Sequence, residues 1–275
     1  ARTIKTVYSH GCGMAEFARL AGPPDRLSQL VAETTLTADP GDPYYEQVLF
    51  ALQDDGMTAP ARSNSPSVYT SYAPDYFVDY AIEQAGYVVL GTVPTLRWLD
   101  WLDDDRVEVV FGGDPAGQLI QWAEIRGTDH TIRADPLPTD VAVESVDLGM
   151  PAAFDDAGRF APDGTPVPTR VETDAATLER LVAAAEIVDG EGVPVVVEDG
   201  QFQLAVSGQV MDASGTLSAS AVDGPDCQNW YGPELGALTR TLAGPLTLEI
   251  VPGGPMAVRQ ESDDATRRYV LDERV

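Results

Sequence analysis

One run of secondary-structure signals occurs twice along this chain, and that duplication limits what it can fold into more than any other feature. In the first occurrence EFARLA reads as a strand and residues 23–38, PPDRLSQLVAETTLTA, as a short amphipathic helix. Pro24 stands at its start, and Leu27, Leu30 and Val31 fall on one face. The strand-forming run YYEQVLFALQ then ends at Asp54-Asp55-Gly56, a hairpin turn signal. The second occurrence repeats the order. TRVET precedes DAATLERLVAAAEIVDG, with Leu178, Leu181, Val182 and Ala185 on one helical face, and VPVVVEDGQFQLAVSG turns at Asp199-Gly200.

Each half continues with a second helix, VPTLRWLDWL at 93–102 and NWYGPELGALTRTLAG at 229–244, and closes with strands around a glycine turn. The expected class is α+β: two similar β-rich domains with two short helices each, over residues 15–134 and 152–275. Residues 135–151, DPLPTDVAVESVDLGMP, carry three prolines and no helical period and read as an extended interdomain connector. Residues 155–168 read as an exposed loop, and residues 1–14 as an N-terminal extension, with the fold beginning near Met14.

Charge narrows the function. Asp and Glu total 44 against 17 Lys and Arg, a formal net charge of −27, and Lys5 is the sole lysine. A generic nucleic-acid surface is disfavoured, because charge of this sign repels phosphate at low ionic strength. The composition fits a halophile's cytoplasm, where molar salt shortens the Debye length to about 3 Å and the carboxylates stop repelling one another; an ordinary acidic protein is the other reading. No apolar run approaches the roughly 20 residues of a membrane span and no signal-peptide pattern opens the chain, so a cytoplasmic location is expected. Cys12 and Cys227 are too few and too far apart for a disulfide framework or a thiolate metal site, and are expected to be free thiols.

Catalytic signatures are missing. No GxxxxGK[ST], strand-borne GxGxxG, HExxH or GxSxG occurs, and His10 and His130 are the only imidazoles. His130 reads as a strand residue at a domain edge. Asp103-Asp104-Asp105 could hold a divalent cation but reads better as a solvated turn. Trp98 and Trp101, three apart on a helix, read as core residues before a stacking platform. A carboxylate-pair hydrolase on a β-rich scaffold stays open, although with 44 acidic residues any proposed pair is arbitrary.

Each of the four helices carries one arginine beside its apolar stripe: Arg26, Arg97, Arg180 and Arg240. Two readings apply, a local ion pair on each helix or a shared cationic face. Arg159, Arg170, Arg259 and Arg267 are assigned to loops or the outer surface.

The whole pattern resembles the DNA polymerase sliding clamps of the proliferating cell nuclear antigen (PCNA) type. FALQDDGMTAPARS is similar to the clamp's strand, acidic-Gly turn and strand. PDYFVDYAIEQAGYVVLGTVPTLRWLDWL resembles its Phe-x-x-Tyr segment with the strand and helix that follow. RRYVLDERV resembles the family's closing Tyr-x-Leu-Ala-Pro-Arg-Ile, with Asp272 and Glu273 in place of Ala-Pro.

The resemblance implies a homotrimeric ring, sheets outside and helices lining the hole, that encircles duplex DNA without reading its sequence. It implies no catalysis, cofactor or metal, and a role in tethering DNA polymerase, in a halophilic archaeon or one of its viruses. The DNA-facing residues would be Arg26, Arg97, Arg180 and Arg240. Polymerase, clamp loader and other partners would dock a short hydrophobic motif in a groove of Val68, Leu137, Val141, Val143, Pro255 and Val270. The subunit interface would join a strand of about 130–134 to one of about 216–222, with His130, Ile132, Thr216 and Ser218 in it. The alternative is a duplicated binding module that does not close a ring.

Overall fold

The structure, a computed structural model, describes residues 15–34, 47–61, 67–114, 120–134, 150–188, 192–207, 212–217, 219 and 221–274. The first repeat runs β1 (Ala15–Gly22), α1 (Pro24–Thr34), β2 (Gln47–Gln53), β3 (Gly56–Ala61), β4 (Ser67–Tyr72), β5 (Asp79–Ile82), β6 (Gly86–Gly91), α2 (Thr92–Trp101), β7 (Val107–Gly113), β8 (Ile120–Arg126) and β9 (Thr131–Ala134). The second runs β10 (Thr169–Asp174), α3 (Ala175–Val188), β11 (Val193–Glu198), β12 (Gln201–Ser207), β13 (Asp212–Thr216), β14 (Ala221–Asp223), β15 (Cys227–Tyr231), α4 (Glu234–Thr241), β16 (Pro245–Ile250), β17 (Met256–Glu261) and β18 (Ala265–Leu271). The two orders are the same, element for element.

Three antiparallel sheets result: β5-β1-β7-β8-β9, β14-β10-β16-β17-β18-β4-β3-β2-β6, and β13-β12-β11-β15. The nine-stranded middle sheet crosses from one repeat to the other where β18 pairs with β4, Tyr269 standing opposite Val68. The outer sheets end in β9 and β13, the positional equivalents of β18 and β4. At the β11–β12 hairpin Asp199 and Gly200 both have positive φ, 52° and 70°, as a two-residue turn matched to strand twist requires.

Each repeat packs its two helices on the inward faces of its strands. Phe17, Leu20, Leu27, Leu30, Phe50, Leu99 and Val109 are among those that fill the first core, and Val171, Leu178, Leu181, Val195, Leu238 and Leu248 the second. The cores interlock at the joint, since Val68 belongs to the second and Ala265 to the first. Alternation in β4 and β18 is regular, as expected of strands with two unlike faces.

Four expectations are corrected. Asn229–Tyr231 is strand, because CQNWY alternates buried and open positions, and the helix begins only at Glu234. The stretch 155–168 is anchored: Phe160 bridges to Phe154, and both pack on Ala257. Arg259 and Arg267 are buried, paired with Glu249 and Glu33. Trp98 and Trp101 stay 41% and 54% exposed, because Leu99 and Leu102 occupy the inward stripe of that helix. Residues 135–149 of the connector, with Leu137, Val141 and Val143, lie outside the described residues, as do Cys12, His10 and Ser218. Cys227 is a buried free thiol. No helix among the described residues is long and apolar enough to cross a membrane.

Candidate nucleic-acid interface

The four helices form one continuous row in the order α2–α1–α4–α3, each packed on the next. The row spans both repeats, so side chains on its open face belong to a single surface. Arg97 lies between the inward Leu96 and Leu99 on the turn that faces solvent; Arg180 and Arg240 are placed the same way on α3 and α4. All three are exposed, and among the described residues none has a carboxylate within ion-pair distance. In a chain this acidic that is notable, since Arg19, Arg106, Arg126, Arg159, Arg170, Arg259 and Arg267 all have one.

Arg26 differs. Its guanidinium lies 4.1 Å from the centre of the Tyr76 ring and pairs with Asp264, in the hairpin between β17 and β18. Burial pushes the Asp264 carboxyl up, but the Ser262 hydroxyl and the Arg26 charge together hold it below its ordinary value. Arg26 thus clasps the two repeats, the local ion pair of the two readings. At the head of α3, Asp174 caps the helix by accepting the Thr177 N–H at 2.9 Å and hydroxyl at 3.0 Å. Those bonds, with Arg180 further off, lower its pKa.

Beneath the row lies a buried polar cluster at the joint of the repeats. Glu33, fully buried on α1, accepts from Arg267 Nε at 2.7 Å and from the Tyr72 hydroxyl at 2.8 Å through Oε2, and from Gln29 at 2.8 Å through Oε1. Burial first and the Glu33 charge second raise the pKa of the Tyr72 and Tyr269 phenols well above the ordinary value. This cluster was not legible from sequence, because Glu33 sits in a helical stretch that reads as amphipathic and its partners lie 39 and 234 residues away.

On the opposite face of the middle sheet an apolar patch is partly open. Phe154, Phe160 and Ala257 form its floor, with Tyr69, Val251 and Val270 packed around them. Arg268 spans the Phe154 ring at 4.9 Å. Val270 is half-buried beside this patch, and Pro255 is half-buried in the turn that follows Val251. Val68 is not on this surface: it is 1% exposed and faces the core. Its neighbour Tyr69 takes that place, a residue that strand alternation around Val68 could have indicated.

The remaining candidates fall apart as chemistry. The Thr128 hydroxyl first and its N–H second, the latter at 2.9 Å, lower the Asp104 pKa and tie the 103–105 turn to the loop before β9. Among the described residues no group of three or more His, Cys, Asp or Glu is placed to hold a metal ion. His130 is exposed just before β9, its ring 4.8 Å from Trp101. Ile132 is half-buried within β9, and Thr216 is the exposed last residue of β13, so the free edge strand is 212–216 and not 216–222.

Such an assembly of two repeats, a shared nine-stranded sheet and a row of four helices is the fold of the PCNA-type DNA clamps. The PCNA of Thermococcus kodakaraensis superposes with a TM-score of 0.74 at 13% identity, covering 94% of this chain and 100% of that one. An A. fulgidus PCNA bound to the C-terminal region of FEN-1 gives 0.72 at 12% identity, with 94% and 98% covered, and the Entamoeba histolytica protein 0.72 at 11% identity, with 95% and 100% covered. No protein-family model matches the chain, and no curated protein matches it in sequence.

Proposed function

We propose that this chain is a sliding clamp: three copies close head to tail around duplex DNA and tether DNA polymerase and other replication proteins, with no catalysis of their own. The observation that carries this reading is the set of three exposed arginines, one on each of three helices of a single row, with no carboxylate in ion-pair distance among the described residues. They face phosphate without reading bases, and sparse contacts let a closed ring slide.

The free edge strands of the two outer sheets support closure. Because β9 and β13 are equivalent to β18 and β4, the joint inside the chain serves as a template for a joint between copies. Carrying its register over sets Ile132 opposite Ala213, and Arg133 opposite Asp212, of the next copy. The net charge of −27 per chain resists closure at low ionic strength, so the ring belongs to a salt-rich cytoplasm, that of a halophilic archaeon or its virus.

The test is topological. In molar KCl the chain should have the mass of a trimer by light scattering, and once loaded onto nicked circular DNA it should stay bound until the circle is cut. A monomer at high protein concentration, or equal retention on linear and circular DNA, defeats the reading.

The outer patch is where a partner's hydrophobic motif docks. Tyr69→Asp together with Val270→Asp should abolish binding of such a peptide by calorimetry and leave oligomer mass unchanged, since neither side chain enters the core. Undiminished binding moves the site elsewhere.

A further inference from the structure

The joint inside the chain and the joint between copies are built from equivalent elements but from different chemistry. Leu27, Leu30 and Val31 of α1 match Leu178, Leu181 and Val182 of α3, which sets Ala184 in the place of Glu33. The β17–β18 and β8–β9 registers set His130 in the place of Arg267, and the two β-hairpins set Leu217 in the place of Tyr72. The buried carboxylate and phenol of the inner joint thus have apolar counterparts at the outer one, and the buried guanidinium has an exposed imidazole.

The helices show the same substitution. Leu102 and Leu242 close α2 and α4 with the same backbone bond, from their N–H to the carbonyls of Trp98 and Leu238. Leu238, in the core of the second repeat, is fully buried, whereas Trp98 is 41% exposed. Inside the chain α4 packs against α1, so between copies α2 faces α3. Trp98, Trp101 and Ile187 are three of the four large exposed hydrophobic side chains among the described residues, Ile187 being 75% exposed. Two of them lie on α2 and the third on α3. Trp98 and Trp101 meet edge to face at 5.9 Å, and Trp101 contacts His130 beside the free edge of β9, so the aromatic group is continuous with the strand that would pair.

We infer that Trp98 and Trp101 of one copy anchor an apolar seam against Ala184 and Ile187 of a second copy of this chain, sealing the ring without a counterpart of the buried Glu33–Arg267 pair. The inference rests on the ring reading. An apolar seam suits a chain with so much negative charge, because added salt screens the repulsion between copies and removes nothing from the seam. Buried tryptophans of this kind supply a large share of association energy.

The test uses the full chain in molar KCl, with mass by light scattering. Trp101→Asp and Ile187→Asp should each raise the concentration for half-assembly by about 100-fold or more, the loss expected of a central aromatic or apolar anchor. Val78→Asp, at a site 62% exposed but on neither helix, should assemble like the unaltered chain. Each faulty chain keeps one good face, so mixing Trp101→Asp with Ile187→Asp should produce a two-chain species and no ring. That rescue also shows that both variants are folded. Variants that keep the trimer mass, or a mixture that stays monomeric, overturn the seam and leave the ring reading standing. An unaltered chain that is itself monomeric overturns both.

Discussion

Charge reversal at Arg97, Arg180 and Arg240 together should remove most of the chain's hold on DNA. On the proposed reading each Arg→Glu change turns a phosphate partner into a repulsive group, and the three stand exposed on helices of one row. At the lowest salt that keeps the ring closed, binding should fall by about 10³-fold, the scale set by losing several phosphate contacts. Polymerase stimulation should fall with it while oligomer mass stays fixed. In molar salt the gap between variant and unaltered chain should shrink, because the contacts are screened there in both. The control is Arg159→Glu with Arg170→Glu, two exposed arginines already engaged with Asp155 and Glu172. Similar impairment by both sets would mean that net charge alone governs binding, and the helix row would lose its role.

Arg267→Ala should be among the most destabilising single changes in the molecule, by about 3–5 kcal/mol, since it leaves the buried Glu33 carboxylate without its cation. Glu33→Met combined with Arg267→Met should recover most of that loss, because a buried pair replaced by apolar groups of similar volume has no charge to desolvate. Urea unfolding at constant KCl checks both, with the midpoints read at equal slope. A small effect from Arg267→Ala alone would mean that water reaches Glu33 and that the joint is looser than its packing indicates.

The order of elements and both apolar helix stripes were open to reading from sequence, because Leu27, Leu30, Val31 and their counterparts at 178, 181 and 182 keep helical spacing whatever covers them. What covers them was not. Trp98 and Trp101 have the spacing of core residues yet stand open, since periodicity shows that a face is apolar without showing whether the same chain buries it. Arg259 and Arg267 read as surface residues because their type is rarely buried; only the pairing of β16 with β17 and the packing of α1 on the sheet bring Glu249 and Glu33 to them. Among the four helix arginines, the sequence could not separate Arg26 from the rest. Its partner Asp264 is 238 residues away, and the contact exists only because β18 lies beside β4.

The unbroken nine-stranded sheet has a mechanical consequence. The proposed ring alternates two kinds of joint, one stitched by a covalent backbone, a strand ladder and the buried Glu33–Arg267 pair, the other by a strand ladder and an apolar seam with no counterpart of that pair. Any force that spreads the ring loads both in series, so the weaker gives first and the stiff one transmits the load without bending. In the proposed ring the chain would therefore act as a rigid arc with its hinges at the two seams. Opening to admit DNA is then the parting of one seam between intact chains, and needs no flexing within a chain.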